Sequence, residues 1–195
     1  STVSKATLHN IAEIKRLGIG RGDTVMVVKA GEIIPKITAV LEHKNKPIEI
    51  PNYCPACGGL LENDSIKLVC NNDNCQSRVF FRTMNWIKVV TIDGLGESLV
   101  KRLFNDPSED GFNLTGIADL YNLRAQDIAF LEGWGEKSAR MIIDNINKTR
   151  HLKPEVFLAA IGIPSISYKT AEDLLAEFES VEGILRASKD EIVAM

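Results

Sequence analysis

Four cysteines in two short-spaced pairs constrain this chain more than any other feature. Cys54 and Cys57 are separated by two residues, twelve residues follow, and Cys70 and Cys75 are separated by four. Each pair carries the turn formers of a metal knuckle, Pro55 with Gly58-Gly59 in one and Asn71-Asn72-Asp73-Asn74 in the other. Four thiolates spaced in this way match a tetrahedral Zn²⁺ site in which every position is filled. Such a site leaves no vacancy for water or substrate, so its expected task is to fold a segment too short to own a core. Two disulfides or an iron centre are the competing assignments. Disulfides need an oxidising compartment, and the first thirty residues lack the basic, apolar, small-residue order of a secretory signal. No apolar run approaches the roughly 18 residues that cross a bilayer. A cytoplasmic protein without a membrane partner is expected.

The net charge of −3 hides an asymmetry. Residues 1–50 carry eight Lys/Arg against five Asp/Glu, residues 51–90 four against three, and residues 91–195 eleven against eighteen. Long-range attraction for a polyanion therefore comes from the front, and any anion contact made by the rear must rely on local geometry. The chain opens at Ser1 inside an expected strand, Thr2 to Leu8, which reads as a fragment.

Asn10 before the apolar positions 11, 14 and 17, with Gly18 beyond, predicts a short capped helix. Asp23–Ala30 and Ile33–Leu41 read as two strands joined by a tight turn at Gly31-Glu32. From Phe80 onward the apolar period becomes helical, and a unit of helix, glycine turn and helix recurs. Its turns are Gly94-Leu95-Gly96, Gly133-Trp134-Gly135, and a weaker third copy at 162–167 in which Pro164 and Ser165 lie inside the turn and Ser167 replaces a second glycine. A fourth copy begins with 181–185 and 189–194.

In such a helix-hairpin-helix unit the glycines let backbone approach a phosphate, and the N–H groups opening the next helix point at it. The candidate phosphate contacts are Gly94, Gly96, Gly133, Gly135 and Gly162. The bland alternative is that these glycines only cap helices in a bundle. Repetition favours the phosphate reading, because both clean turns are followed by a glutamate and then a serine: Glu97 and Ser98, Glu136 and Ser138.

The segments Val3-Ser4-Lys5-Ala6-Thr7-Leu8-His9-Asn10 and Lys29-Ala30-Gly31-Glu32-Ile33-Ile34-Pro35-Lys36, followed by the four cysteines and the tandem hairpins, resemble the middle and rear of bacterial NAD-dependent DNA ligases over essentially the whole chain. The resemblance implies a multi-domain α+β chain: a truncated OB-fold β-barrel over 1–50, a four-cysteine zinc finger over 51–78, and an all-α helix-hairpin-helix domain, cut short, over 79–195. It implies a monomer whose partner is nicked double-stranded DNA, with the finger as the joint between the basic sheet region and the hairpins. The family forms a lysyl-AMP from NAD, transfers AMP to a 5′-phosphate and seals the nick, with its lysine in a K-x-D-G motif that does not occur here. NAD and Mg²⁺ would thus be bound outside this segment, and no catalytic residue is expected within it. The resemblance places Lys29 near phosphate and Ile33 and Ile34 against the minor groove. Many relatives have arginine at Lys29, so a forked contact becomes a point charge here. Strand alternation alone would instead bury one of the two isoleucines. A stand-alone zinc and hairpin DNA-binding adaptor is the alternative function.

Other signals are weaker. Gly18-Ile19-Gly20-Arg21-Gly22 follows a helix and precedes a strand, the reverse of a dinucleotide loop. His9, His43 and His151 are scattered, and Trp86 and Trp134 read as packing residues. Asn105–Asn113 reads as a loop between repeats.

Overall fold

The computed structural model describes residues 3–30, 34–63, 66–104 and 112–194. The chain divides into two compact units, Ser1–Cys75 and Gln76–Met195, which places the four cysteines with the front of the chain.

In the first unit the capped helix forms as its sequence dictates. Helix α1 (Ile11–Leu17) starts where the Asn10 side-chain oxygen accepts the Glu13 N–H at 2.9 Å, and stops where Gly18 turns to φ +56. Ile11 and Leu17 are buried beneath it. Strand β1 (Thr24–Ala30) pairs antiparallel with β2 (Ile34–Glu42), with register irregularities after Thr24 and Met26. The turn at Gly31-Glu32, and Ile33 with it, lies outside the described residues. Among the described residues, the strand expected from Thr2 to Leu8 is reduced to a single bridge, in which Thr7 donates to the Pro35 carbonyl and accepts from the Ile37 N–H. The reason is the turn that follows. His9 adopts φ +63 with its N–H on Thr7 Oγ1, and the chain swings away into α1 after one pairing.

The described residues hold the hairpin and α1 of an OB-like domain without closing a barrel. Consecutive residues Met26, Val27 and Val28 are 45%, 40% and 41% exposed, whereas a barrel wall buries alternate side chains. The glycine-rich stretch after α1 is a packing joint. A Cβ on Gly20 would meet the Lys46 carbonyl oxygen at 2.5 Å, so only glycine lets these backbones pass. Asp23 ties the same joint: its carboxylate accepts N–H groups from Gly20, Lys44 and Asn45 and faces His43 Nδ1 at 3.1 Å. The Gly20 and Lys44 N–H groups, with smaller help from His43 and Asn45, outweigh burial and hold its pKa at about 2. His43 therefore does have a carboxylate partner, one twenty residues away in sequence. Strands β3 (Leu61–Asn63) and β4 (Leu68–Cys70) complete this unit.

The second unit is helical: α2 (Gln76–Val90), α3 (Glu97–Phe104), a 3-10 turn (Ile117–Asn122), α4 (Ala125–Ala129), α5 (Glu136–Lys148), α6 (Pro154–Ala160), α7 (Tyr168–Phe178), α8 (Val181–Arg186) and α9 (Lys189–Val193). Helix α2 begins directly after Cys75, earlier than periodicity predicts, because its first residues, Gln76-Ser77-Arg78, are polar. Its core gathers Val100, Leu103, Leu120, Ile128, Ile142 and Ile146, each at most 1% exposed. Trp86 joins this core and donates its indole N–H to Tyr121 Oη at 3.1 Å, and the half-buried Trp134 packs against it. Of the expected loop, 105–111 lies outside the described residues.

The fourth copy of the repeat is recognisable in detail. Ser188 and Glu191 stand in α8–α9 as Arg124 and Asp127 do in the 3-10 turn and α4, each acid accepting the backbone N–H of the residue three before it. Leu120 and Ile128 are buried in the earlier copy, whereas their counterparts Ile184 and Ile192 are half-buried and 37% exposed in the later one. Among the described residues no helix is long and apolar enough to cross a membrane.

Candidate metal centre and nucleic-acid interface

The two cysteine knuckles converge on one point. In the first, the Cys54 N–H donates to the Gly59 carbonyl at 2.7 Å and the Gly58 N–H donates to the Cys54 carbonyl at 2.8 Å, with Gly58 at φ +70. Few residues other than glycine take that φ readily. In the second, Cys70 ends β4 opposite Leu61, and the Cys75 N–H donates to the Asn72 carbonyl at 3.1 Å. All four sulfurs lie within 4.8 Å of one another, with Cys57 and Cys70 3.6 Å apart and Cys54 and Cys75 3.9 Å apart. A tetrahedron of Zn–S bonds of about 2.3 Å puts its sulfurs about 3.8 Å apart. The cysteines are unbridged, and their separations are far longer than a disulfide of about 2.0 Å.

The thiols also differ in acidity. The Gly59 N–H, aided by Asn72, Cys70 and Cys75 and opposed by burial, lowers Cys57 to about 7. The Asn72 N–H pulls Cys70 down too, but burial and its hydrogen bonds to the other thiols prevail and push it up to about 11. A divalent cation at the centre would favour the thiolate form of its ligands. Asn72, which the spacing rule overlooks, supplies backbone and side-chain hydrogen bonds around the ligands. Its place in an asparagine run was the available signal.

The glycine turns are not alike. Gly94 has φ +85 and Gly133 φ +86, and both are exposed. Two residues on, Gly96 and Gly135 open α3 and α5, their carbonyls accepting the Val100 and Ala139 N–H groups at 3.0 Å. A Cβ on Gly96, Gly133 or Gly135 would meet nothing within 4 Å, so backbone here faces open space. No side chain caps the start of α5. Glu97 and Glu136 are drawn along their helices to Lys101 at 2.6 Å and Arg140 at 3.0 Å.

Gly162 does not stand at the matching place. It is half-buried with φ +77 just past α6, where a Cβ would meet Arg82 Cγ at 3.6 Å. The left-handed residue two before the third N-cap is Ser165, φ +67, and the N-cap is Ser167. Counting back from the N-cap, Gly162 corresponds to Thr91, another left-handed residue that ends a helix. The signal lay in the spacing: Ser165-Ile166-Ser167 repeats the glycine triplets with serines substituted. Ser167 Oγ accepts the Thr170 N–H at 3.2 Å, so the third hairpin fills with its own hydroxyl a place that stays open in the second.

In the front unit Lys29 is exposed and paired opposite Pro35, and Ile34 is 61% exposed. The structure thus brings Lys29 near Ile34 on one exposed hairpin end, while Ile33 lies outside the described residues.

Residues 1–49 match the model of the NAD-dependent DNA ligase OB-fold domain, and residues 157–195 match that of the SAM-like helix-hairpin-helix tandem. A DNA ligase from Coprothermobacter proteolyticus is 35% identical over 201 aligned residues, covering 100% of this chain and 29% of the relative. One from Solibacter usitatus is 38% identical over 197, covering 98% of this chain and 29% of the relative. The sequence falls in the DNA ligase family. A third ligase, from Halorubrum lacusprofundi, is 36% identical over 198 residues, 100% of this chain and 27% of that protein. The chain thus spans less than a third of the length of these ligases.

Proposed function

We propose that this segment is the DNA clamp of an NAD-dependent ligase. It closes on nicked duplex and holds the 5′-phosphate and 3′-hydroxyl in line, while lysyl-AMP formation, with NAD and Mg²⁺, takes place on another part of the protein. The observation that carries the reading is the second hairpin, where Gly133 and Gly135 present unobstructed backbone at the uncapped start of a 13-residue helix. An anion there gains from both free N–H groups and the helix dipole. Such contacts suit an acidic unit, because they use no side-chain cation. Lys29 and Ile34 add a cation and an apolar contact from the front unit. Zn²⁺ held by Cys54, Cys57, Cys70 and Cys75 is structural, since four thiolates leave it no open position. Holding two reacting groups in line is itself a large source of rate, so a segment without chemistry can still govern turnover.

Fluorescence anisotropy with purified, zinc-loaded chain on nicked and intact duplexes of one sequence tests this. Tighter binding to the nicked duplex, weakened by Gly135→Glu, is expected. Equal or absent binding to both duplexes refutes the clamp. Elemental analysis should find one zinc per chain.

A further inference from the structure

Two side chains cross between the clean hairpins. Arg102, on the helix opened by the first turn, donates from Nη1 to the Glu132 carbonyl of the second turn at 2.6 Å. Asn145, on the helix opened by the second turn, donates from Nδ2 to the Asp93 carbonyl of the first turn at 3.1 Å. Asp93 and Glu132 hold the same place, each directly before the positive-φ glycine of its turn. The left-handed glycine redirects the chain there, and each preceding carbonyl takes its hydrogen bond from the other hairpin. The first turn is also seated on α5, because Gly94 leaves only 3.1 Å between a would-be Cβ and Ile142 Cγ1. The third repeat is tied differently, with Asn85 Nδ2 donating to the Ala160 carbonyl at 2.9 Å.

We propose that Arg102 and Asn145 are reciprocal struts that fix the spacing and orientation of the two glycine turns, so that both engage one duplex backbone at once. The proposal rests on the clamp reading above and names positioning residues for it. Two weak phosphate sites held at a fixed separation bind as a bivalent unit, and such linkage multiplies affinity by about 100- to 10,000-fold over one site. A strut acts without touching phosphate. Arg102 is half-buried, and its charge strengthens its bond to a backbone carbonyl. Each strut holds the same arrangement, so cutting either one releases both turns.

The test uses the zinc-loaded chain with Arg102→Met, Asn145→Ala, their double variant, and Arg102→Lys. Three quantities are measured: affinity for nicked duplex, amide hydrogen exchange of the free protein at 93–97 and 132–136, and the thermal midpoint. Each single strut variant should bind about 10-fold more weakly, and the double variant well short of the product of the two. Exchange should quicken in both turns when either strut is cut, most in the turn that strut reaches, before any DNA is added, and Arg102→Lys should restore binding. Multiplying losses overturn the proposal, as does Arg102→Met weakening binding while turn exchange stays at the wild-type rate, which would make Arg102 a direct phosphate contact. A lowered midpoint with binding lost in proportion, not rescued by lysine, would reduce the residues to general stability. If the wild-type chain binds no duplex, the clamp reading falls, and unchanged exchange in the variants would independently remove the struts.

Discussion

Alanine at Gly94 and alanine at Gly133 should cost the fold different amounts, although the two glycines share a backbone conformation. At φ +85 and +86 both positions charge an L-residue about 1–2 kcal/mol for the left-handed region. At Gly133 nothing else is added, since no atom lies within 4 Å of the new methyl. At Gly94 the methyl would sit 3.1 Å from Ile142 Cγ1, and Ile142 is fully buried. Overpacking of that kind costs about 1–3 kcal/mol more. Gly94→Ala should therefore lose about 2–5 kcal/mol and Gly133→Ala about 1–2 kcal/mol, read by urea unfolding followed at 222 nm with an unchanged m-value. Placing Gly94→Ala in an Ile142→Ala background removes the colliding carbon, and the glycine substitution should then cost about as much as at Gly133. Equal losses at the two glycines in the wild-type background would refute the packing difference, as would a Gly94→Ala penalty that survives the removal of Ile142.

Cys70→Ser should abolish stoichiometric metal binding and unfold the knuckles, seen as loss of zinc by elemental analysis, while the helical signal of residues 76–195 is retained. Lys29→Glu should weaken duplex binding and make its salt dependence shallower; an unchanged slope would remove Lys29 from the interface. Asp23, held at about 2 against an ordinary 3.8, contributes stability that is fully present above 3.8 and is lost as pH falls through about 2. Asp23→Asn should flatten the acid unfolding of the front unit over that window, followed by amide exchange of residues 20–48.

Local rules read well wherever local forces decide. Asn10 and Gly18 bound α1 because one side-chain oxygen and one left-handed glycine suffice to start and stop a helix. The four cysteines were legible because metal geometry demands few spacings. The hidden features depend on partners far away in sequence. The strand expected at 2–8 has suitable residues, but its pairing ends when His9 turns the chain. Gly162 looked like a phosphate glycine because glycine itself was the signal; its place in the repeat is set by the N-cap at Ser167, and Ser165 takes the left-handed position instead. Arg102 and Asn145 carried no motif at all, since their partners are backbone carbonyls thirty and fifty-two residues away.

The four converging sulfurs have a consequence for how the front unit behaves in a cell. The knuckles join short strands of three residues each, with little apolar interior of their own. With a metal ion bound between the four cysteines, their folding would follow mass action in that ion. Each tenfold change in free metal above the dissociation constant shifts their stability by about 1.4 kcal/mol. Metal starvation would melt the knuckles with no change in the sequence, and resupply would refold them without new synthesis.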